Sequence, residues 1–122
     1  MRIGALAGTT GVSRRLLRYY EEQGLLHPLR LTNGYREYAE SDVAAVRNIR
    51  ALLAAGLPTT VIAGLLHCFH DEDERPVPSP CPGMVADLRR ERRRITDAIA
   101  GLQSSQQALD TMLTAALRRP RD

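Results

Sequence analysis

The sequence predicts a mainly α-helical protein, with a winged helix-turn-helix domain at its N-terminus and a long coiled-coil dimerisation helix at its C-terminus. Three patterns predict this fold: two short helical segments separated by a glycine-containing turn, an Asn-Gly pair between two extended segments, and a seven-residue apolar repeat in the last third of the chain. The two domains are expected at residues 1–66 and 84–118, with a proline-rich acidic loop connecting them at 67–83.

The first two helices form the predicted helix-turn-helix. Ile3–Gly8 has helical spacing, and the Thr-Thr-Gly run at 9–11 is expected to end it. Ser13 can cap the second helix because its hydroxyl accepts hydrogen bonds from backbone N–H groups of the next turn. That helix is expected to run over Arg14–Gln23 and to end at Gly24, which can take the left-handed conformation that terminates helices.

The second helix is predicted to have a core side and a DNA side. Leu16, Leu17 and Tyr20 share the core side, because neighbours on a helix recur at three and four residues. Arg18 and Tyr19 then point outward, where both can donate hydrogen bonds to phosphate oxygens. Two arginines at the start of the helix can reach base edges in a major groove, and these are Arg14 and Arg15. Ser13, directly before them, is also a candidate DNA-binding residue.

A small β-hairpin, the wing, is predicted after the second helix. Pro28 cannot continue a helix, and Leu29–Thr32 and Tyr35–Tyr38 flank Asn33-Gly34. Asn-Gly favours a hairpin because a type I′ turn needs positive φ at both central residues. The wing contributes three further side chains that can lie along a DNA backbone, and these are Tyr35, Arg36 and Tyr38.

Two more helices complete the predicted N-terminal domain. Ser41 is expected to cap a helix over Asp42–Ala55, and Gly56 follows its end. Pro58 then allows a short fourth helix that ends near Leu66. The third helix carries two further candidate phosphate contacts, Arg47 and Arg50.

The connecting segment at 67–83 contains several prolines and four consecutive acidic residues, so no regular structure is expected there. Thiolates and imidazoles are ligands for Zn²⁺ or Cu(I), and a pair of cysteines can instead form a reversible disulfide that senses oxidants or electrophiles. A purely structural role for the thiols is the third alternative. The candidate effector residues are Cys68, Cys81, His67 and His70.

The tail from residue 84 is predicted to be one helix with two apolar seams. Arg92 and Gln106 interrupt the second seam, and Gly101 lies in mid-helix. A lone helix cannot bury such a stripe, so a dimerisation arm, antiparallel or parallel, is expected; the alternative is a helix folded back onto its own domain. The seam residues are Val85, Leu88, Ile95, Ile99, Leu102, Leu109 and Leu113.

Composition restricts the function further. The chain has 122 residues, a net charge of +3 and 17 basic residues, all of them arginine, and a locally basic domain suggests a phosphate-bearing partner. No apolar run is long enough to span a membrane and no signal peptide is visible, so a cytoplasmic protein without a membrane partner is expected. The absence of a nucleophile–base arrangement and of a phosphate-binding glycine loop argues against an enzyme.

Several motifs occur in a fixed order: GVS at 11–13, LRYYE at 17–21, GLL at 24–26, NGYREY at 33–38 and AGLPTTVIAGLL at 55–66. In order and spacing they resemble the MerR family of bacterial transcription regulators over about residues 2–66. The tail agrees with the long dimerisation helix of that family in type and position.

The resemblance implies a homodimer that binds double-stranded DNA at a near-palindromic operator between two promoter elements and distorts it so that RNA polymerase can engage. It assigns DNA contacts to Arg18, Tyr19, Tyr35, Arg36 and Tyr38. The metal sensors of the family take further cysteines from a segment after the dimerisation helix, and none follows here. A standard metal site therefore does not match the family pattern, and a response to a thiol-reactive oxidant or electrophile is the first hypothesis for the effector. There are two alternatives. The protein is a metal-responsive regulator that uses Cys68 and Cys81 with a histidine, or it is a repressor that acts without an effector.

Overall fold

A computed structural model describes residues 1–79 and 81–119, and the chain divides into two compact units, the first over Met1–Met84 and the second beginning at Val85. The predicted fold class, a winged helix-turn-helix followed by a long helix, is confirmed. The elements are α1 (Ile3–Thr10), α2 (Arg14–Glu22), β1 (Leu29–Arg30), β2 (Arg36–Glu37), α3 (Ser41–Ala54), α4 (Thr59–Leu65), a 3₁₀ turn (Leu66–Cys68), β3 (Phe69–Glu72), β4 (Arg75–Pro78) and α5 (Met84–Arg118).

The helix-turn-helix forms as the sequence predicts. The Ser13 hydroxyl oxygen accepts a hydrogen bond from the backbone N–H of Leu16 at 3.1 Å and so caps α2. Gly24 follows α2 with φ at 75°. The first helix runs two residues further than expected, to Thr10, whose hydroxyl donates to the Leu6 carbonyl at 2.7 Å.

The core of the first unit is aliphatic, with two buried tyrosines. Leu6, Leu17, Ile49 and Ile62 are fully buried and join the helices of this unit. Leu16 differs from its predicted core position, because 38% of it is exposed. The core of this unit therefore receives only one leucine from α2.

The wing forms, with a different turn from the one predicted. Gly34 has φ at 85°, whereas Asn33 is not in the positive-φ region, so the turn is not type I′. The Gly34 N–H donates to the Leu31 carbonyl at 3.0 Å, and the Asn33 side-chain oxygen accepts from the Tyr35 N–H at 3.1 Å. A three-residue connection with glycine in the left-handed position explains both bonds and leaves strands of only two residues each.

The start of α3 also differs from the prediction. Ser41 is the first helical residue and makes no cap. Instead the Asp42 carboxylate accepts from the backbone N–H of Ala39 at 2.8 Å, which satisfies a donor just before the helix. The short α4 begins directly after Pro58, as predicted.

The expectation that 67–83 lacks regular structure is wrong, because β3 and β4 form an antiparallel hairpin within the first unit. Asp73 and Glu74 both have positive φ, at 50° and 63°, which makes the two-residue connection that Asn-Gly was expected to make in the wing. Pro76 and Pro78 are two residues apart, so their missing N–H groups fall on one edge of β4 and leave the other edge free to pair.

The helix predicted at 84–118 spans Met84–Arg118, a length of about 52 Å at 1.5 Å per residue. Gly101 does not interrupt it. Among the helices of residues 1–79 and 81–119, none is long and apolar enough to cross a membrane.

Candidate nucleic-acid interface and thiol site

Four of the predicted DNA-contacting residues, Arg14, Arg18, Tyr35 and Arg36, line one groove of about 350 Å³. The start of α1, the start of α2 and the tip of the wing form its walls. Four guanidinium groups converge there, which makes it a region of concentrated positive charge. The groove is lined by Arg2, Ile3, Gly4, Arg14, Arg18, Gly34, Tyr35 and Arg36.

The exposed side chains of α2 and the wing tip can contact a DNA backbone. Arg14, Arg15 and Arg18 are exposed, and Tyr19 is 42% exposed. Tyr35 is 54% exposed, and the Arg2 guanidinium lies 4.0 Å from the centre of its ring. Sequence reasoning missed Arg2; its position directly before α1 gave no signal for this stacking.

Gly4 gives the Arg14 side chain its place in the groove. A Cβ at this position would lie 2.6 Å from the Arg14 Nη2 atom, too close without movement of the guanidinium. The absence of a side chain on α1 therefore allows an arginine of α2 to lie against it.

Arg36 links the wing to α2. Its Nε atom is 2.8 Å from Glu21 Oε2 and 3.1 Å from Oε1. Arg36 also lines the groove, so it can still contact DNA through its other guanidinium N–H groups while the ion pair fixes its direction. Glu21 is a positioning residue that the sequence prediction did not include.

Tyr38 is not where the prediction put it, because its side chain is buried with 1% exposure and is absent from the exposed surface. Its hydroxyl has no hydrogen-bond partner among the described residues. Burial, with a further contribution from the Glu21 carboxylate, raises the pKa of Tyr38 above its ordinary value. Its backbone pairs with Met1 through two bonds of 2.6 Å, so Tyr38 anchors the base of the wing and does not contact DNA in this conformation.

Arg47 and Arg50 line a second groove, of about 310 Å³, together with Thr9, Thr10, Val43 and Val46. Arg50 is exposed. Arg47 forms an ion pair with Asp71 of β3, with 2.7 Å between Nη1 and Oδ2. One of the two candidate phosphate contacts therefore already holds a carboxylate of the same chain.

The two thiols lie together, and a disulfide is one of the alternatives that the sequence left open. Cys68 is 2% exposed and Cys81 is partly exposed, and a disulfide joins them with 5.9 Å between their Cα atoms. The His67 Nε2 atom is 3.5 Å from the Cys68 sulfur, and the ligand atoms of these three residues all lie within 4.8 Å of one another.

His70 does not belong to this cluster, which corrects its inclusion among the effector candidates. Its Nδ1 atom is 2.8 Å from the Ser79 hydroxyl and its Nε2 atom is 3.4 Å from a Glu72 carboxylate oxygen. His70 therefore links β3 to the end of β4 and is directed toward polar side chains of the hairpin.

The seams of α5 are largely exposed in the single chain. Leu102 is 72% exposed and Ile99 is 51% exposed, although both are apolar and well inside the helix. Leu88 and Ile95 are partly exposed. The remaining seam residues, Val85, Leu109 and Leu113, are each exposed by 59–60%.

The comparison with family models identifies the N-terminal unit. The model described as "MerR HTH family regulatory protein" matches residues 1–67, more than half of the chain. The chain belongs to the MerR family. MerR-family membership agrees with the observed order of helix-turn-helix, wing and long helix.

Individual MerR relatives align over different lengths. The "Heavy metal-dependent transcription regulator 2" of Rhizobium meliloti is 39% identical over 72 residues, which is 58% of this chain and 49% of the relative. The regulator ZntR of Escherichia coli K12 is 31% identical over 112 residues, which is 91% of this chain and 77% of the relative. The chain thus spans about half the length of the first of these two relatives.

A solved MerR structure shares the fold. The crystal structure of a MerR family transcriptional regulator from Listeria monocytogenes superposes with a TM-score of 0.56 at 22% sequence identity. The match covers 98% of this chain and 87% of that chain.

Proposed function

We propose that the protein is a transcription regulator that binds a near-palindromic promoter operator as a homodimer and distorts the DNA to control transcription by RNA polymerase. The observation that carries the proposal is the groove lined by Tyr35 and by arginines of the N-terminus, α2 and the wing, on a surface where Tyr19 is also exposed. Such a surface fits backbone contacts on a duplex, and contacts of this kind supply the energy for deforming it. We assign no catalytic role to the chain.

Homodimerisation is proposed to occur through α5, with the two copies antiparallel. A parallel pair would place Arg92 of one seam against Arg92 of the other, and the like charges repel. An antiparallel pair aligned over the full helix instead places Arg92 beside Leu109 of the second copy, with Asp110 next to it. Arg89 of each copy then faces Asp110 of the other, so the pair occurs twice in the dimer. Both residues are exposed and flank the seam.

The binding experiment is a titration of purified protein against the duplex that precedes its own gene. We expect the logarithm of the affinity to fall linearly with the logarithm of salt concentration, because each arginine–phosphate contact releases counterions. A dimer with three such contacts per subunit should give a slope of about −5. Fluorescence anisotropy at several salt concentrations measures it. Affinity that does not depend on salt would contradict a phosphate-contacting surface.

The effector is proposed to be an oxidant that closes the Cys68–Cys81 disulfide. Cys81 is the more accessible thiol, so its thiolate attacks a peroxide oxygen, the O–O bond breaks, and a sulfenic acid and a water molecule result. The Cys68 sulfur then attacks the sulfenyl sulfur and expels the second water. Two thiols lose two electrons and two protons, and one peroxide becomes two water molecules. His67, 3.5 Å from the Cys68 sulfur, can stabilise that thiolate.

A metal response is the second candidate, favoured by the same cluster and by the name of the Rhizobium meliloti relative, a heavy metal-dependent regulator. Two thiolates and one imidazole suit Zn²⁺ or Cu(I), and their ligand atoms are already within 4.8 Å. The set fits a metal only when the disulfide is reduced, since the bonded sulfurs cannot act as thiolates. His67, Cys68 and Cys81 would then hold the ion.

Native mass spectrometry distinguishes the two effectors. We expect protein treated with hydrogen peroxide to lose about two daltons per subunit, recovered by a thiol reductant, because disulfide formation removes two hydrogens. Reduced protein incubated with Zn²⁺ under anaerobic conditions provides the comparison. A retained metal mass that disappears in a Cys81→Ser variant, without any peroxide-dependent mass loss, would favour the metal and contradict the disulfide.

A further inference from the structure

The β3–β4 hairpin places a carboxylate on an arginine that is a candidate DNA contact. Asp71 Oδ2 is 2.7 Å from Arg47 Nη1, and the two side chains are 25% and 35% exposed. A carboxylate and a phosphate offer a guanidinium the same kind of partner, two charged oxygens that accept N–H groups. Asp71 therefore occupies Arg47 in the manner that a DNA phosphate would.

The hairpin that carries Asp71 is closed at its base by the disulfide. Cys68 and Cys81 are 13 residues apart in sequence, and the whole of β3 and β4 lies between them. Next to the bridge, the Ser79 backbone N–H donates to the Cys68 carbonyl at 2.6 Å. The covalent bond therefore removes conformational freedom from the segment that positions Asp71.

The groove beside this ion pair is large enough for a phosphate group. It has about 310 Å³ and is lined by Arg47 and Arg50, with Thr9 and Thr10 on the side of α1. In the described part of the chain Arg50 makes no ion pair, so it can take part in a contact that Arg47 would complete.

We propose that Asp71 is an intramolecular competitor of DNA phosphate for Arg47, and that the Cys68–Cys81 disulfide holds it in the competing position. The inference rests on the proposed function and deepens it by naming the contact through which the thiols act. In the disulfide form the carboxylate has a high effective concentration at Arg47. Reduction frees one end of the hairpin, lowers that concentration, and lets a phosphate replace the carboxylate. The reduced dimer therefore binds DNA more tightly than the oxidised dimer.

The test compares oxidised and reduced protein on the duplex that precedes its own gene. Hydrogen peroxide oxidises the protein, a thiol reductant reduces it, and the two-dalton mass difference verifies each state. The wild-type dimer is expected to bind roughly tenfold more tightly when reduced. Two Arg47–phosphate contacts per dimer are regained, but each replaces the ion pair with Asp71, which offsets part of its gain. Its salt slope should become steeper by about two, one for each Arg47.

Asp71→Asn removes the competing charge and keeps the shape of the side chain. We expect this variant to bind like reduced wild type in both redox states, with less than about a twofold difference between them. Asp73→Asn is the matched control: it removes the same charge from the same hairpin, and asparagine tolerates the positive φ of 50° at that position. The control should retain the redox difference of the wild type.

A Cys68→Ser, Cys81→Ser double variant supplies a second measurement that is independent of Asp71. It should bind like the reduced wild type and should not respond to peroxide. If Asp71→Asn keeps the redox difference and the slope change of the wild type, the competition is wrong while the proposed DNA binding stands. The competition would also be refuted if oxidised and reduced wild type bound the duplex with the same affinity and the same salt slope. If none of these proteins binds the duplex in dilute buffer, the proposed function fails together with this inference.

Discussion

Replacement of Leu102 by Asp is expected to separate the dimer into single subunits and to remove operator binding with it. In the antiparallel arrangement Leu102 packs against Ile99 of the second copy at the centre of the helix pair, and both are more than half exposed in the single chain. Two leucines would lose their burial, at about 1.5–3 kcal/mol each, and two carboxylates would be forced together. The dimer dissociation constant should rise at least about hundredfold. Sedimentation equilibrium measures it.

Ser104→Asp is the control for this change, since it adds the same charge to an exposed position away from both seams. It should leave the dimer intact. The register is tested by charge exchange: Arg89→Asp and Asp110→Arg should each weaken the dimer, and the double variant should regain the affinity of the wild type. Failure of that rescue would show that the two positions do not face each other, and a dimeric Leu102→Asp protein would place the seam elsewhere.

Replacement of Arg18 by Ala is expected to reduce operator affinity roughly hundredfold without changing the dimer. Arg18 is exposed on α2 and borders the groove shared with the wing, and one charged contact is lost in each half-site. Two contacts of about 1.5 kcal/mol each correspond to that factor. Fluorescence anisotropy with the duplex that precedes the gene measures the affinity, and sedimentation confirms the oligomeric state.

The matched control for Arg18 is Arg90→Ala, which removes the same charge from α5, where Arg90 is bonded to Asp87 at 3.0 Å. Its affinity should stay within about twofold of the wild type, because exposed ion pairs contribute little. Equal affinities of the Arg18→Ala protein and the wild type would remove α2 from the proposed DNA surface.

The sequence predicted the structural elements that are determined by residues close together in the chain. The cap at Ser13, the end of α2 at Gly24 and the long helix over 84–118 depend on neighbouring residues or on a repeat, and all three are present. The exposed arginines of α2 follow from helical spacing alone. Most of the predicted DNA-contacting residues therefore lie on the surface where they were expected.

The features that the sequence did not predict depend on contacts between distant residues. Tyr38 is buried and its backbone pairs with Met1, 37 positions away, and the Arg47–Asp71 pair joins residues 24 positions apart. The second hairpin was missed for a different reason: proline and acidic residues usually mark loops, yet two prolines on the same edge of an outer strand do not prevent pairing. No periodic pattern reveals either kind of contact.

The Glu21–Arg36 ion pair has a consequence for which base sequences the protein can use. Because it joins β2 of the wing to α2 at 2.8 Å, the proposed DNA-binding surface cannot easily adjust its own shape to an unsuitable duplex. The duplex has to bend and twist to fit, and flexible pyrimidine–purine steps do so at a lower cost than stiff A-tracts. The protein should therefore prefer particular base pairs even at operator positions that no side chain contacts.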